Sequence, residues 1–134
     1  MQFDSGKNSN NRIVIFYSKF TIEYAEKTKI FMMDGTFYSC LKDFYQFYTM
    51  NWVIFGTSFP MIYVFMQNKN SASYEKLFQF IALNTQISPN SIIFDFEISA
   101  ILQANRFLKP LHVILACYIL SRRFIDMYLS ILLQ

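Results

Sequence analysis

The sequence predicts a mixed α/β fold built as one domain. Three apolar, β-rich runs follow one another, and after them helical and strand-like segments alternate. The chain has 134 residues, the size of one small domain, and is 54% hydrophobic and 19% aromatic with 16% charged residues. That balance lies far from a disordered chain and is enough to bury a single core.

Residues 13–29, IVIFYSKFTIEYAEKTK, mix an apolar run with a charged segment and read as a short strand followed by a helix or an ordered lead-in. IFMMDGTF (30–37) reads as a strand whose last side chain is the carboxylate of Asp34 and whose exit is permitted by Gly35. FYQFYTMNWVIF (44–55) is a second β-rich run, and Gly56-Thr57-Ser58 marks a turn into FPMIYVFM (59–66), so the three strands form a meander. From Ser71 the period changes. Ser71 at the start, Glu75 in the first turn and apolar Leu77, Phe78, Ile81 and Ala82 at helical spacing predict a helix. Pro89 and Asn90 end it, and SIIFDFE (91–97) follows as a short buried strand with Asp95 at its far end. EISAILQANRF carries Ile98, Ile101, Leu102 and Asn105 at helical spacing. LHVILACYI after Pro110 is a further strand, and LSRRFIDMYLSILLQ (120–134) an amphipathic terminal helix.

The net charge of +3 is mild and the basic residues are scattered, so composition by itself points to no nucleic-acid partner. Cys40, Cys117 and the single His112 lack metal-ligand spacing, and both cysteines are expected to be reduced, buried thiols. The first dozen residues, MQFDSGKNSNNR, lack the apolar stretch of a signal peptide, so an intracellular location is expected. Residues 44–68 carry no Asp, Glu, Lys or Arg once Asp43 is passed and are long enough to span a bilayer. Their polar residues and β-branched and aromatic content suit strands better, and no membrane association is expected.

Strands alternating with helices allow acidic residues at neighbouring strand ends to converge, and Asp34 and Asp95 occupy such ends. A carboxylate pair there suits hard divalent ions through oxygen, although aspartates at strand ends also serve simply to end strands or cap helices. Two-metal phosphoryl transfer, with ions roughly 3.5 to 4 Å apart, needs at least three well-placed carboxylates in most designs.

The segment FMMDGTFYSCLKDFYQFYTMNWVIFGTSFPMIYVFMQNKNSASYEKLF resembles the opening of the Mutator-like element (MULE) transposase domain, with its Asp-Gly-Thr-Phe strand end and Gln-x-Tyr-Thr run. IIFDFEISAILQA resembles that family's second signature, and Cys117 falls at its Cys-x-x-His element. The resemblance covers about Ile30 to Cys117 and divides the chain into a partly disordered lead-in (1–29) and a partial, C-terminally incomplete domain (30–134). It implies an RNase H-like fold and metal-dependent DNA strand cleavage and transfer by a DDE triad, with transposon-end DNA as partner and a nuclear location. Position by position it implies that Asp34 and Asp95 are the first two catalytic carboxylates and ligands of Mg2+ or Mn2+. Glu97 belongs to the matching motif and is expected to support the start of the following helix.

The departures are as informative. The family's third acidic residue, a downstream glutamate, has no counterpart, and Asp126, the one late carboxylate, is expected to be a solvated residue of the terminal helix. Leu120 stands where the Cys-x-x-His histidine belongs, as a reading-frame change in a decayed or truncated copy would leave it. The expectation is a transposase remnant that has lost activity. Two other readings are a DNA-binding or protein-interaction module presenting Tyr45, Phe47, Tyr48 and Trp52, and a small membrane protein built on residues 44–68.

Overall fold

The computed structural model describes residues 2–36, 41–95 and 97–115. Cys40, Cys117, Asp126 and the helix expected over 120–134 lie outside the described residues. The elements are β1 (Phe3–Asp4), β2 (Ile13–Phe16), α1 (Lys19–Ala25), β3 (Ile30–Thr36), β4 (Gln46–Ile54), β5 (Thr57–Met66), α2 (Ser71–Asn84), β6 (Ser91–Phe94), α3 (Ile98–Phe107) and β7 (His112–Leu115). The strands form one mixed sheet in the order β1-β2-β5-β4-β3-β6-β7. The mixed α/β class read from the sequence is therefore what the chain adopts.

The expected meander is β3, β4 and β5, paired antiparallel. Residues 3–25, within the stretch read as a lead-in, add β1 and β2 to the free side of β5 and supply α1. An ion pair between Arg12 and Asp4 at 2.6 Å ties β1 to β2 and holds the Asp4 carboxyl down at about 2. On the other side β6 pairs parallel to β3, and β7 parallel to β6. Parallel neighbours need a crossover, which α2 and α3 provide.

Side chains alternate along the strands, so one sheet face collects Phe31, Met33, Tyr48, Met50, Ile62 and Val64, all buried. Both α1 and α2 reach that face: Tyr24 packs edge-on against Trp52, and Tyr74 against Tyr48. From α2 the core receives Tyr74, Leu77, Phe78 and Ile81, whereas Ala82 is exposed. The helix is capped by Asn70, whose side chain accepts from the Ser73 amide, one residue ahead of the start read from the sequence. On α3 the buried stripe is Ala100 and Ala104, which lets α3 lie close to α2, and Arg106–Glu75 and Gln103–Ser71 contacts bind the two. Ile98 and Leu102, read from the sequence at helical spacing, are exposed, because Ala100 and Ala104 occupy the inner face.

Residues 44–68 form the β4–β5 hairpin, and among the described residues no helix is long and apolar enough to cross a membrane. Pro60 is tolerated inside β5 because it lies opposite Asn51, where the pairing register shifts and Met61 is the extra residue. The turn is centred on Phe55 and Gly56 rather than on Gly56-Thr57-Ser58, and both central residues have positive φ (50° and 72°). That is the signature of a type I′ turn, which favours Asn-Gly and penalises a bulky first residue. Phe55 is 92% exposed and gains no burial in return. Phe55→Asn is therefore expected to stabilise the protein by about 1 kcal/mol in urea denaturation; unchanged or lowered stability would show that the Phe55 ring is held by contacts of its own.

Candidate functional site

β3 brings the first carboxylate into place. Met33 and Gly35 look toward the helices, so Asp34 between them leaves the opposite face, beside its register partner Thr49. That face is polar locally: Asn51 donates to Thr49 Oγ1 at 3.2 Å and to the Met32 carbonyl at 3.3 Å. Gly35 does not end the strand, which continues to Thr36. Its reason is space, since a Cβ there would run into the side-chain amide of Gln46. Gln46 is buried and accepts from the Tyr74 hydroxyl at 3.2 Å, which links the start of β4 to α2 beneath the site.

β6 brings the second. The parallel register pairs Met33 with Phe94, so the next residues along the two strands are Asp34 and Asp95. The structure thus brings the two aspartates read from the sequence to adjacent positions, with Asp95 just past the end of β6 but Asp34 inside β3 rather than at its end, because β3 stays paired to β4 through Thr36. Burial first, and then the negative charge of Asp95, push the Asp34 carboxyl above its usual range, with the Gly35 amide opposing.

Asp95 also lines a cavity of about 40 Å³ with Met33, Gly35, Gln46, Tyr48, Lys69 and Glu97. This is room for one or two waters at most. Glu97 stands at the N-cap of α3 but makes no capping hydrogen bond. Its carboxylate instead pairs with the Lys69 ammonium at 2.8 Å, so the support expected of it at the helix start is not a side-chain cap. Burial, then the neighbouring Tyr74 and the carboxylates of Glu97, Asp34 and Asp95, push the Tyr48 hydroxyl up, and burial followed by Glu97 pushes the Tyr74 hydroxyl up against the opposing Gln46 hydrogen bond, so both stay neutral.

Asp34 and Asp95 supply oxygen only, and the charge of Asp95 raises the cost of charging Asp34. This donor set fits one hard divalent ion completed by water, and Mg2+ or Mn2+ would be held by these two residues. Among the described residues no group of three or more metal-ligating side chains comes together. His112 is exposed at the start of β7. Of the aromatics in the interaction-module reading, Tyr45 is exposed, Tyr48 is in the core, and Trp52 packs between Tyr24 and Phe59. Comparison with known protein families, with curated proteins and with solved structures finds no match.

Lys69, Gln46 and Tyr74 are the site residues that sequence reading missed. The alternation along β4 was one available signal, because it places Gln46 on the same side as Tyr48. Lys69 lies in the loop before α2 and carried no local pattern.

The raised Asp34 carboxyl has a sign that can be measured. The folded chain holds this proton more tightly than the unfolded chain, so ionising Asp34 lowers stability as pH rises from the ordinary 3.8 through the raised value. Thermal unfolding of metal-free Asp34→Asn at pH 7 should show a higher Tm than wild type, with the difference vanishing below pH 3.8. A lower Tm for the variant at neutral pH would mean that the carboxylate is instead stabilised by its surroundings.

Proposed function

We propose that the chain is the front part of a MULE transposase catalytic domain with an RNase H-like fold, whose Asp34 and Asp95 hold one Mg2+ or Mn2+ ion. The observation that carries this reading is the parallel pairing of β3 and β6, which makes Asp34 and Asp95 neighbours. The surrounding order supports it: an antiparallel meander carries the first aspartate on its first strand, and a helix crossover returns the chain beside that strand.

In this reading the bound ion supplies Lewis-acid activation of a phosphodiester and of the attacking water or hydroxyl. The protein's residues hold and orient it. Asp34 is presented from a strand paired on both sides, Asp95 from the end of a fully buried strand, and the Gln46–Tyr74 hydrogen bond supports both from below. Among the described residues two carboxylates come together, short of the set that strand transfer needs. The function proposed is that of a transposase remnant, with metal binding weakened and DNA cleavage and transfer lost.

Differential scanning calorimetry with and without millimolar Mn2+, alongside a plasmid-nicking assay, tests both halves. The wild-type chain should gain stability with Mn2+, Asp34→Asn and Asp95→Asn should gain none, and nicking should not exceed background. Equal stabilisation of all three would place any metal elsewhere. Mn2+-dependent nicking abolished by Asp34→Asn would show an active enzyme.

A further inference from the structure

Several exposed apolar side chains gather where α1 lies over the end of the β4–β5 hairpin. Phe20 and Tyr24 of α1 meet edge-on with ring centroids 5.0 Å apart, Tyr24 meets Trp52 of β4 at 5.8 Å, and Trp52 meets Phe59 of β5 at 6.0 Å. Ile54 lies two residues past Trp52 on the same strand face, and Phe55 stands at the hairpin tip. Trp52 is half-buried, but Phe20 is 67% exposed, Tyr24 and Phe59 nearly half, and Phe55 almost completely. The contacts make this one continuous patch rather than scattered residues, and Phe55 adds to it the cost of a positive φ that its own chain does not offset.

Size and charge select the partner. Each aromatic side chain can bury about 150–250 Å², so the exposed part of the patch amounts to roughly 500 Å². Single apolar residues on a surface need no partner, whereas a contiguous patch of several hundred Å² marks an interaction site. A stable homodimer buries about 800 Å² on each partner, about 65% of it apolar, and the patch matches that apolar share. Residues 52–60 carry no Asp, Glu, Lys or Arg, and the charged side chains of α1 and the two residues after it, Lys19, Glu23, Glu26 and Lys27, sum to zero. The next cation, Lys29, is engaged with the Ser88 carbonyl at 3.2 Å. Nucleic acids and anionic membranes call for a net positive surface, which this face lacks. Equal numbers of both signs suit a copy of the same face across a two-fold axis.

We propose that the face formed by α1 and the end of the β4–β5 hairpin pairs with the same face of a second copy of this chain, in an isologous dimer with Phe20 and Phe55 among its buried anchors. The dimer gives the bulky residue at the turn a use: Phe55 lowers the stability of the single chain and contributes its ring to the interface. The stability gain expected of Phe55→Asn therefore belongs to the dissociated chain. The pairing is independent of the metal site.

Sedimentation equilibrium of the full chain, from low micromolar to submillimolar concentration, tests this. Wild type should pass from monomer to dimer. Phe20→Ser and Phe55→Asn should each raise the dimer dissociation constant about tenfold or more, and the double variant should stay monomeric throughout. Both changes fall at exposed positions, and urea denaturation at low concentration should show each variant folded. Leu83→Ser, which removes an exposed leucine of α2 outside the patch, should leave the dissociation constant unchanged. A wild-type chain that is monomeric at every concentration overturns the proposal, as does a dimer that both phenylalanine variants leave intact. Binding of the wild-type monomer to phosphatidylcholine vesicles or to a single-stranded oligonucleotide, abolished by Phe20→Ser, would assign the face to a membrane or a nucleic acid and overturn the second copy as its occupant.

Discussion

The parallel pairing of β3 with β6 is the constraint on which the rest of this structure depends. β3 is antiparallel to β4 on one side and parallel to β6 on the other, and it alone joins the meander to the crossover half of the sheet. A parallel neighbour cannot be reached by a tight turn, so the chain must leave the sheet after β5, run through α2 and return. That crossover is stable because Leu77, Phe78 and Ile81 on α2 are fully buried against the sheet. Its consequence is chemical. With Met33 opposite Phe94, the carboxylates that follow become neighbours whatever their own preference.

Two like charges at adjacent positions of neighbouring strands are unfavourable, and the surroundings differ on the two sides of Asp95. Toward Asp34 the neighbours include the Thr49 hydroxyl and the Asn51 amide, and the Asp34 carboxyl is pushed up. Toward Glu97 the lysine of a clamped loop supplies the balancing charge. The absence of a Cβ at Gly35 lets Gln46 pack directly under this arrangement, so the core and the site share a boundary one residue thick.

Much of this was legible in the sequence because it is local. Apolar, β-rich runs bounded by turn signals marked β3 to β6, a change to helical period marked α2, and aspartates at the ends of two such runs marked the candidate site. What failed to show was decided by tertiary packing. Ile98 and Leu102 have the spacing of an inner face, yet the close approach of α3 to α2 selects Ala100 and Ala104. Gly35 looks like a strand exit and is a packing cavity for Gln46. The turn position moved by one residue because the hairpin register required positive φ at Phe55, a residue with no preference for it. Lys69 was invisible because its partners, Glu97 and, through its flanking asparagines, Asn10 and Asn11, lie far away along the chain.

Paramagnetic broadening by substoichiometric Mn2+ in a 15N–1H correlation spectrum is the most direct test that Asp34 and Asp95 form one site. Amide signals of Asp34, Gly35 and Asp95 should disappear together at the lowest metal additions, while those of Phe55 at the hairpin tip and of α1 persist. Broadening that reaches only one of the two aspartates, or that spreads evenly over the acidic surface, would contradict a shared site.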